Sequence, residues 1–156
     1  MKKRVLVAVD ESEASARVAA FVNDFFKEVD VEIVALHVAT LPAGFAAPWA
    51  VPVATTWVGY PGAGVYTLEK TADREVEQAV ERAGEETITS TGLAVDRTRV
   101  EIGDPIGAID HVASAEDVDL IVVGSAHRNW LERLFGGGSV SRQLAKEAER
   151  PVLIVH

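Results

Sequence analysis

Valine-rich apolar runs and amphipathic stretches alternate along this chain, and the alternation lays out its elements. Arg4 to Val9 is rich in valine and alternates little, so it reads as a central strand buried on both faces, ended by Asp10. Ser12 can cap a following helix in which Val18, Val22, Phe25, Phe26 and Val29 recur at helical spacing. Val31 to Val38 is a second apolar strand. A β-α-β start predicts a parallel pair with a right-handed crossover, which brings Asp10 and Val38 to one edge of the sheet.

The pattern then lapses. From Ile33 to Leu68 no side chain is formally charged, His37 apart, and Pro42, Pro48, Pro52 and Pro61 exclude a continuous helix or membrane span. Residues 40–64 are therefore expected to form a long uncharged loop. Its Phe45, Trp49, Trp57 and Tyr60 leave two readings open, a mobile insertion or a lid or protein contact. The helical period returns with Leu68, Ala72, Val76, Ala79, Val80, Ala83 and Thr87, and Gly92 follows its end. Val95 to Ile102 alternates apolar and charged positions, as an edge strand does. Asp104-Pro105 supplies an N-cap and a first-turn proline for a helix whose Ile106, Ile109, Val112 and Ala113 face the core.

Leu120 to Val123 is a further buried strand that stops at Gly124. After Gly136-Gly137-Gly138, Ser139 caps a helix running from Val140 to Ala148, and Arg150-Pro151 opens a last edge strand to Val155. The whole predicts an α/β fold, a doubly wound five-stranded parallel sheet with helices on both faces. Ligands bind such sheets where the strand order reverses, outside the carboxyl ends of the strands. Asp10 and Gly124 end the two strands expected to flank that crevice. Glycines that allow close backbone approach, followed by the unpaired N–H groups of a helix start, make an anion cradle suited to phosphate.

Composition narrows the chemistry. A length of 156 residues fits one domain, 1–156, and the absence of cysteine removes disulfides, thiolate metal sites and cysteine nucleophiles. The net charge of −9, with five lysines against 24 acidic residues, disfavours nucleic acid and membrane surfaces as partners. The apolar run after Met1-Lys2-Lys3-Arg4 is too short for a signal peptide, which points to the cytoplasm. No lysine follows the glycines as a P-loop requires, and the first strand is followed by Asp10-Glu11-Ser12-Glu13 rather than a dinucleotide fingerprint. His37, His111, His127 and His156 lack metal-ligand spacing, and no serine sits in a Gly-x-Ser-x-Gly elbow. A receiver-domain reading fails for want of a phosphoacceptor aspartate on the middle strand and a switch lysine.

Along almost its whole length the sequence resembles the universal stress protein family. The matching pieces are Val7-Ala8-Val9-Asp10-Glu11-Ser12, Leu36-His37-Val38, Gly103-Asp104-Pro105, Val122-Val123-Gly124-Ser125, Leu131-Glu132-Arg133-Leu134, Gly138-Ser139-Val140 and Arg150-Pro151-Val152-Leu153-Ile154-Val155. The resemblance implies strand order 3-2-1-4-5 and a homodimer joined through the last strand. Nucleotide-binding members carry Gly, two residues, Gly, nine residues, then Gly-Ser or Gly-Thr; here Gly124, Gly138 and Ser139 match, His127 replaces the middle glycine, and ten residues separate it from Gly138.

By the same resemblance Val9 and Asp10 would meet adenine and ribose, Val38 would line the adenine slot, and Val140 and Ser141 would contact phosphate. His127 and Arg128 could add positive charge towards a polyphosphate. The implied ligand is ATP, with magnesium as counter-ion, and the implied role is a stress sensor or regulatory dimer with at most slow hydrolysis. The departures at His127 keep a second reading open, a dimeric interaction module of the same fold without nucleotide, whose protein partners the sequence does not name.

Overall fold

The computed structural model describes residues 2–39, 63–125 and 140–156. Their elements are β1 (Lys3–Val9), α1 (Glu13–Phe25), β2 (Val31–Ala39), α2 (Ala63–Ser90), β3 (Arg97–Ile102), α3 (Pro105–Ala115), β4 (Leu120–Gly124), α4 (Val140–Glu147) and β5 (Val152–Val155). The strands form one sheet in the order β3-β2-β1-β4-β5, every neighbouring pair parallel. The fold is the doubly wound α/β sheet expected from the pattern, and order 3-2-1-4-5 is the one the resemblance implied.

Successive side chains of a strand point to opposite faces, so the apolar run of β1 feeds two cores. Val5, Val7 and Val9 meet Val18, Ala19 and Val22 of α1 with Ile88 of α2, while Leu6 meets Ile109, Val112 and Ala113 of α3 with Leu144 of α4. The edge strands read differently. In β3 the charged Arg97, Arg99 and Glu101 alternate along the strand, whereas every residue of β5 is half-buried and apolar.

Several local expectations need correction. The α1 face is Ala14, Ser15, Val18, Ala19 and Val22, because the helix ends at Phe25 and Phe26 at the C-cap packs against the core in its place. Phe25 is 60% exposed and Val29 is exposed too. Helix α2 starts at Ala63, so Ala63 and Gly64 belong to it rather than to a loop ending at 64. One glycine costs a helix about 1 kcal/mol, too little to stop one of this length. Ala79 and Ala83 are exposed, and from residue 76 onward Gly84 and Ile88 are the buried positions of that helix. Strand β3 begins at Arg97, leaving Val95 outside it. Of the loop expected at 40–64, residues 40–62, with the four large aromatics, lie outside the described residues.

At the amino ends of the strands a chain of ion pairs crosses the sheet. Arg4 and Arg97 both hold Glu32, at 2.8 and 2.5 Å, and Arg97 and Arg99 both hold Glu116, which is only 7% exposed. Hydrogen bonds from Arg4 and then Arg97 keep Glu32 below its ordinary pKa, and those from Arg99 do the same for Glu116. Lys3, with the Arg4 backbone N–H, lowers Asp119. No helix among the described residues is long and apolar enough to cross a membrane.

Candidate functional site

The strand order reverses between β1 and β4, and their carboxyl ends frame the candidate crevice. The β1–β4 register runs to Ala8↔Val123, and the β1–β2 register to Val9↔His37. Val9, Asp10 and Gly124 therefore come together at one end of the sheet, with Val38 one strand away.

Asp10 is held by a tight turn. Its Oδ1 accepts from the Ser12 backbone N–H at 2.9 Å, from Ser12 Oγ at 2.5 Å and from Ser15 Oγ at 2.7 Å. Ser12 occupies the N-cap of α1, but its side chain makes no capping bond because its hydroxyl goes to Asp10. An aspartate whose side chain closes onto the backbone two residues on is a standard turn device. Here it also sets the direction of a carboxylate at the crevice.

Val9 and Val38 are core residues, 5% and 7% exposed, on the α1 and the α3–α4 layers respectively. Contact between either valine and a ligand would come chiefly from its backbone. Gly124 has a packing role: a Cβ there would lie 3.1 Å from Ala14 Cβ and 3.2 Å from Val18 Cγ2, so its absence lets α1 close onto β4. Close approach, rather than a left-handed backbone, is what this glycine provides. At Gly103 the reverse holds, since φ is +144° with open space around it.

Of the remaining expected residues, Val140 and Ser141 open α4, whose N-terminal N–H groups lack intrahelical partners. His127, Arg128, Gly138 and Ser139 lie outside the described residues. The structure adds three side chains to which the motifs assigned no role at the site. Ser125 Oγ is buried without a hydrogen-bond partner just past β4. Ser15 and His37 are buried polar groups packed beside Asp10 and Val9. Their signal in the sequence is a polar residue in an otherwise apolar stripe: Ser15 on the inner face of α1, His37 inside a run of β-strand aliphatics. Among the described residues no group of three or more His, Asp or Glu is placed to hold a metal ion.

A parallel, doubly wound sheet in the order β3-β2-β1-β4-β5 defines a class, the single-sheet α/β domains. The sequence profile of the universal stress protein family matches residues 1–156, and the chain belongs to that family. A universal stress protein of Methanocaldococcus jannaschii is 27% identical over 153 residues, covering 98% of this chain and 81% of the relative. Among solved structures, a universal stress protein in complex with cAMP superposes with a TM-score of 0.57 at 21% identity, covering 99% of this chain and 97% of that one. The universal stress protein of Archaeoglobus fulgidus in complex with dAMP gives 0.51 at 21% identity, over 99% and 98% of the two chains.

Proposed function

We propose that this protein is a cytoplasmic, single-domain stress-response sensor that binds an adenine nucleotide, ATP with its magnesium ion, and works as a homodimer. The observation that carries the reading is the Asp10 carboxylate, fixed by Ser12 and Ser15 at the switch point beside Gly124. The cAMP and dAMP held by two structural neighbours support an adenine nucleoside phosphate as guest.

The residues suit such a guest. A carboxylate accepts hydrogen bonds from ribose hydroxyls, the buried Ser125 hydroxyl offers an unspent donor, and the start of α4 favours anionic oxygens. Val9 and Val38 would border the base, while Val140 and Ser141, with Gly138, Ser139, His127 and Arg128 of the intervening segment, would face the phosphates. Magnesium enters in this reading with the triphosphate, whose charge it neutralises next to an acidic protein. No catalytic base is assigned, and hydrolysis is at most slow. In this reading the dimer pairs through β5, and what supports it is that β5 is an apolar edge strand with no described strand on its outer side.

Calorimetric titration with Mg-ATP, Mg-AMP and cAMP, after release of any co-purified nucleotide by denaturing an aliquot, tests this. One saturable site per subunit, weakened about tenfold or more by Asp10→Ala, is expected. A folded protein that neither retains nor binds any of the three overturns it. His127 in place of the family's middle glycine favours the second reading, an interaction module that has given up nucleotide. That reading gains if only the His127→Gly variant binds ATP.

A further inference from the structure

We propose that Ser15 and His37 are positioning residues that fix the Asp10 carboxylate for its ligand by gripping both polar atoms of the Val9–Asp10 peptide bond. The inference rests on the reading of the crevice as a nucleotide site and adds to it two residues that touch no ligand.

The geometry is compact. The Val9 carbonyl is met by His37 Nδ1 at 3.1 Å, and the Asp10 N–H donates to Ser15 Oγ at 2.7 Å. The two ends of one peptide unit are thus held by side chains from different elements, β2 and α1. Ser15 Oγ also donates to Asp10 Oδ1 at 2.7 Å, so one hydroxyl ties the backbone of Asp10 to its own carboxylate. Because a carbonyl only accepts, Nδ1 must carry the hydrogen, which selects the tautomer of the ring.

Both side chains are deeply buried, Ser15 at 4% and His37 at 7% exposure. A polar group placed so deep is costly unless it is bonded, and an alanine or leucine would serve packing alone at either position. The wall behind the ring is specific too. A Cβ at Gly84 would come within 3.2 Å of His37 Cδ2 and collide with Val100, so α2 closes over the imidazole because residue 84 is glycine. A carboxylate whose backbone and side chain are both fixed before binding loses little freedom when a sugar hydroxyl arrives.

The test compares the wild type with Ser15→Ala, His37→Leu, His37→Asn and Asp10→Ala, each shown folded by circular dichroism, in titrations with Mg-ATP and with its 2′-deoxy and 3′-deoxy analogues. Ser15→Ala and His37→Leu are expected to lose about tenfold in ATP affinity and to discriminate less against the deoxy analogues. The double variant Ser15→Ala/Asp10→Ala should bind no worse than Asp10→Ala alone. His37→Asn, which keeps an N–H donor near the Nδ1 position, should recover much of the loss. A folded Ser15→Ala that retains full ATP affinity and the full preference for ATP over the deoxy analogues overturns the proposal.

A readout without nucleotide keeps the two readings apart. Nitrogen NMR of the free protein should show His37 as the Nδ1–H tautomer and an Asp10 amide whose slow exchange is lost in Ser15→Ala. If the wild type binds no adenine nucleotide, the nucleotide reading falls, and these signals decide the grip by themselves. An Nε2–H ring, or an Asp10 amide exchanging equally fast in both proteins, then overturns it.

Discussion

Asp117 adopts φ +47°, a left-handed conformation that an L-residue other than glycine takes at a cost of roughly 1–2 kcal/mol. It sits just past the Glu116 C-cap of α3, where the Val118 N–H bonds back to the Ala113 carbonyl and the Asp117 N–H to that of Ser114. This paired closure is the one glycine ordinarily completes. Asp117→Gly is therefore expected to stabilise the protein by roughly 0.5–1 kcal/mol, after the loss of an exposed 3.0 Å pair with Arg150, and thermal unfolding would read the gain. At this scale the sequence was legible where a residue type has few uses. Asp10 after a buried strand and Asp104-Pro105 before a helix both stand where they were expected, and Asp104 accepts from the Gly107 N–H at 2.8 Å. Ser15 and His37 show in the sequence only as polar residues within apolar stripes; their partners were not legible, since His37 meets a carbonyl 28 positions away and the Ser15 bonds to Asp10 depend on how α1 leaves β1.

Among the elements, β5 carries the clearest consequence. Its Leu153 and Val155 lean on the α1 core and its Val152 and Ile154 on the α3–α4 core, so both faces are apolar up to the edge. Such an edge invites another strand, unlike β3, where charged side chains discourage pairing. If the proposed dimer forms there, Ile154→Lys should sediment as a monomer at concentrations where the wild type is a dimer, with its circular dichroism unchanged. A wild type that is itself monomeric would remove β5 from the interface. The five described strands and four described helices were readable from periodicity because parallel sheets need continuous apolar runs and their helices a single apolar stripe. Boundaries were not: the start of α2 at Ala63 carries no apolar period, and the turn of α1 from Phe25 to Phe26 depends on which ring reaches the core.

For the molecule as a whole, the ion pairs at the amino edge make stability depend on acid. Glu32, Glu116 and Asp119 are held below their ordinary pKa by Arg4, Arg97, Arg99 and Lys3. On acidification the unfolded chain takes up protons first, so the contribution is complete above the ordinary carboxylate range near pH 4 and is lost as pH falls through the lower, folded values. Urea titrations across pH 7 to 3 should show a fall beginning near pH 5. Glu116→Gln should lose about 1–3 kcal/mol at pH 7 and flatten that fall, the lower figure applying in high salt because Arg97 and Arg99 are partly exposed. A variant with an unchanged acid limb would show that the buried Glu116 contributes nothing to it.

The strand order also bears on how the protein is born. Of the five described strands β1 is made first and ends up in the middle of the sheet, and its two neighbours are made at very different times. Strand β2 follows within the first 39 residues, but the opposite edge of β1 waits until residue 124 has been synthesised. Until then Leu6 and Val7 face a vacancy that β4 will fill, with Ile121 and Val122 as their register partners. Nascent chains that stop short of β4 thus carry an open, apolar central strand, the kind of surface that chaperones bind and aggregates recruit.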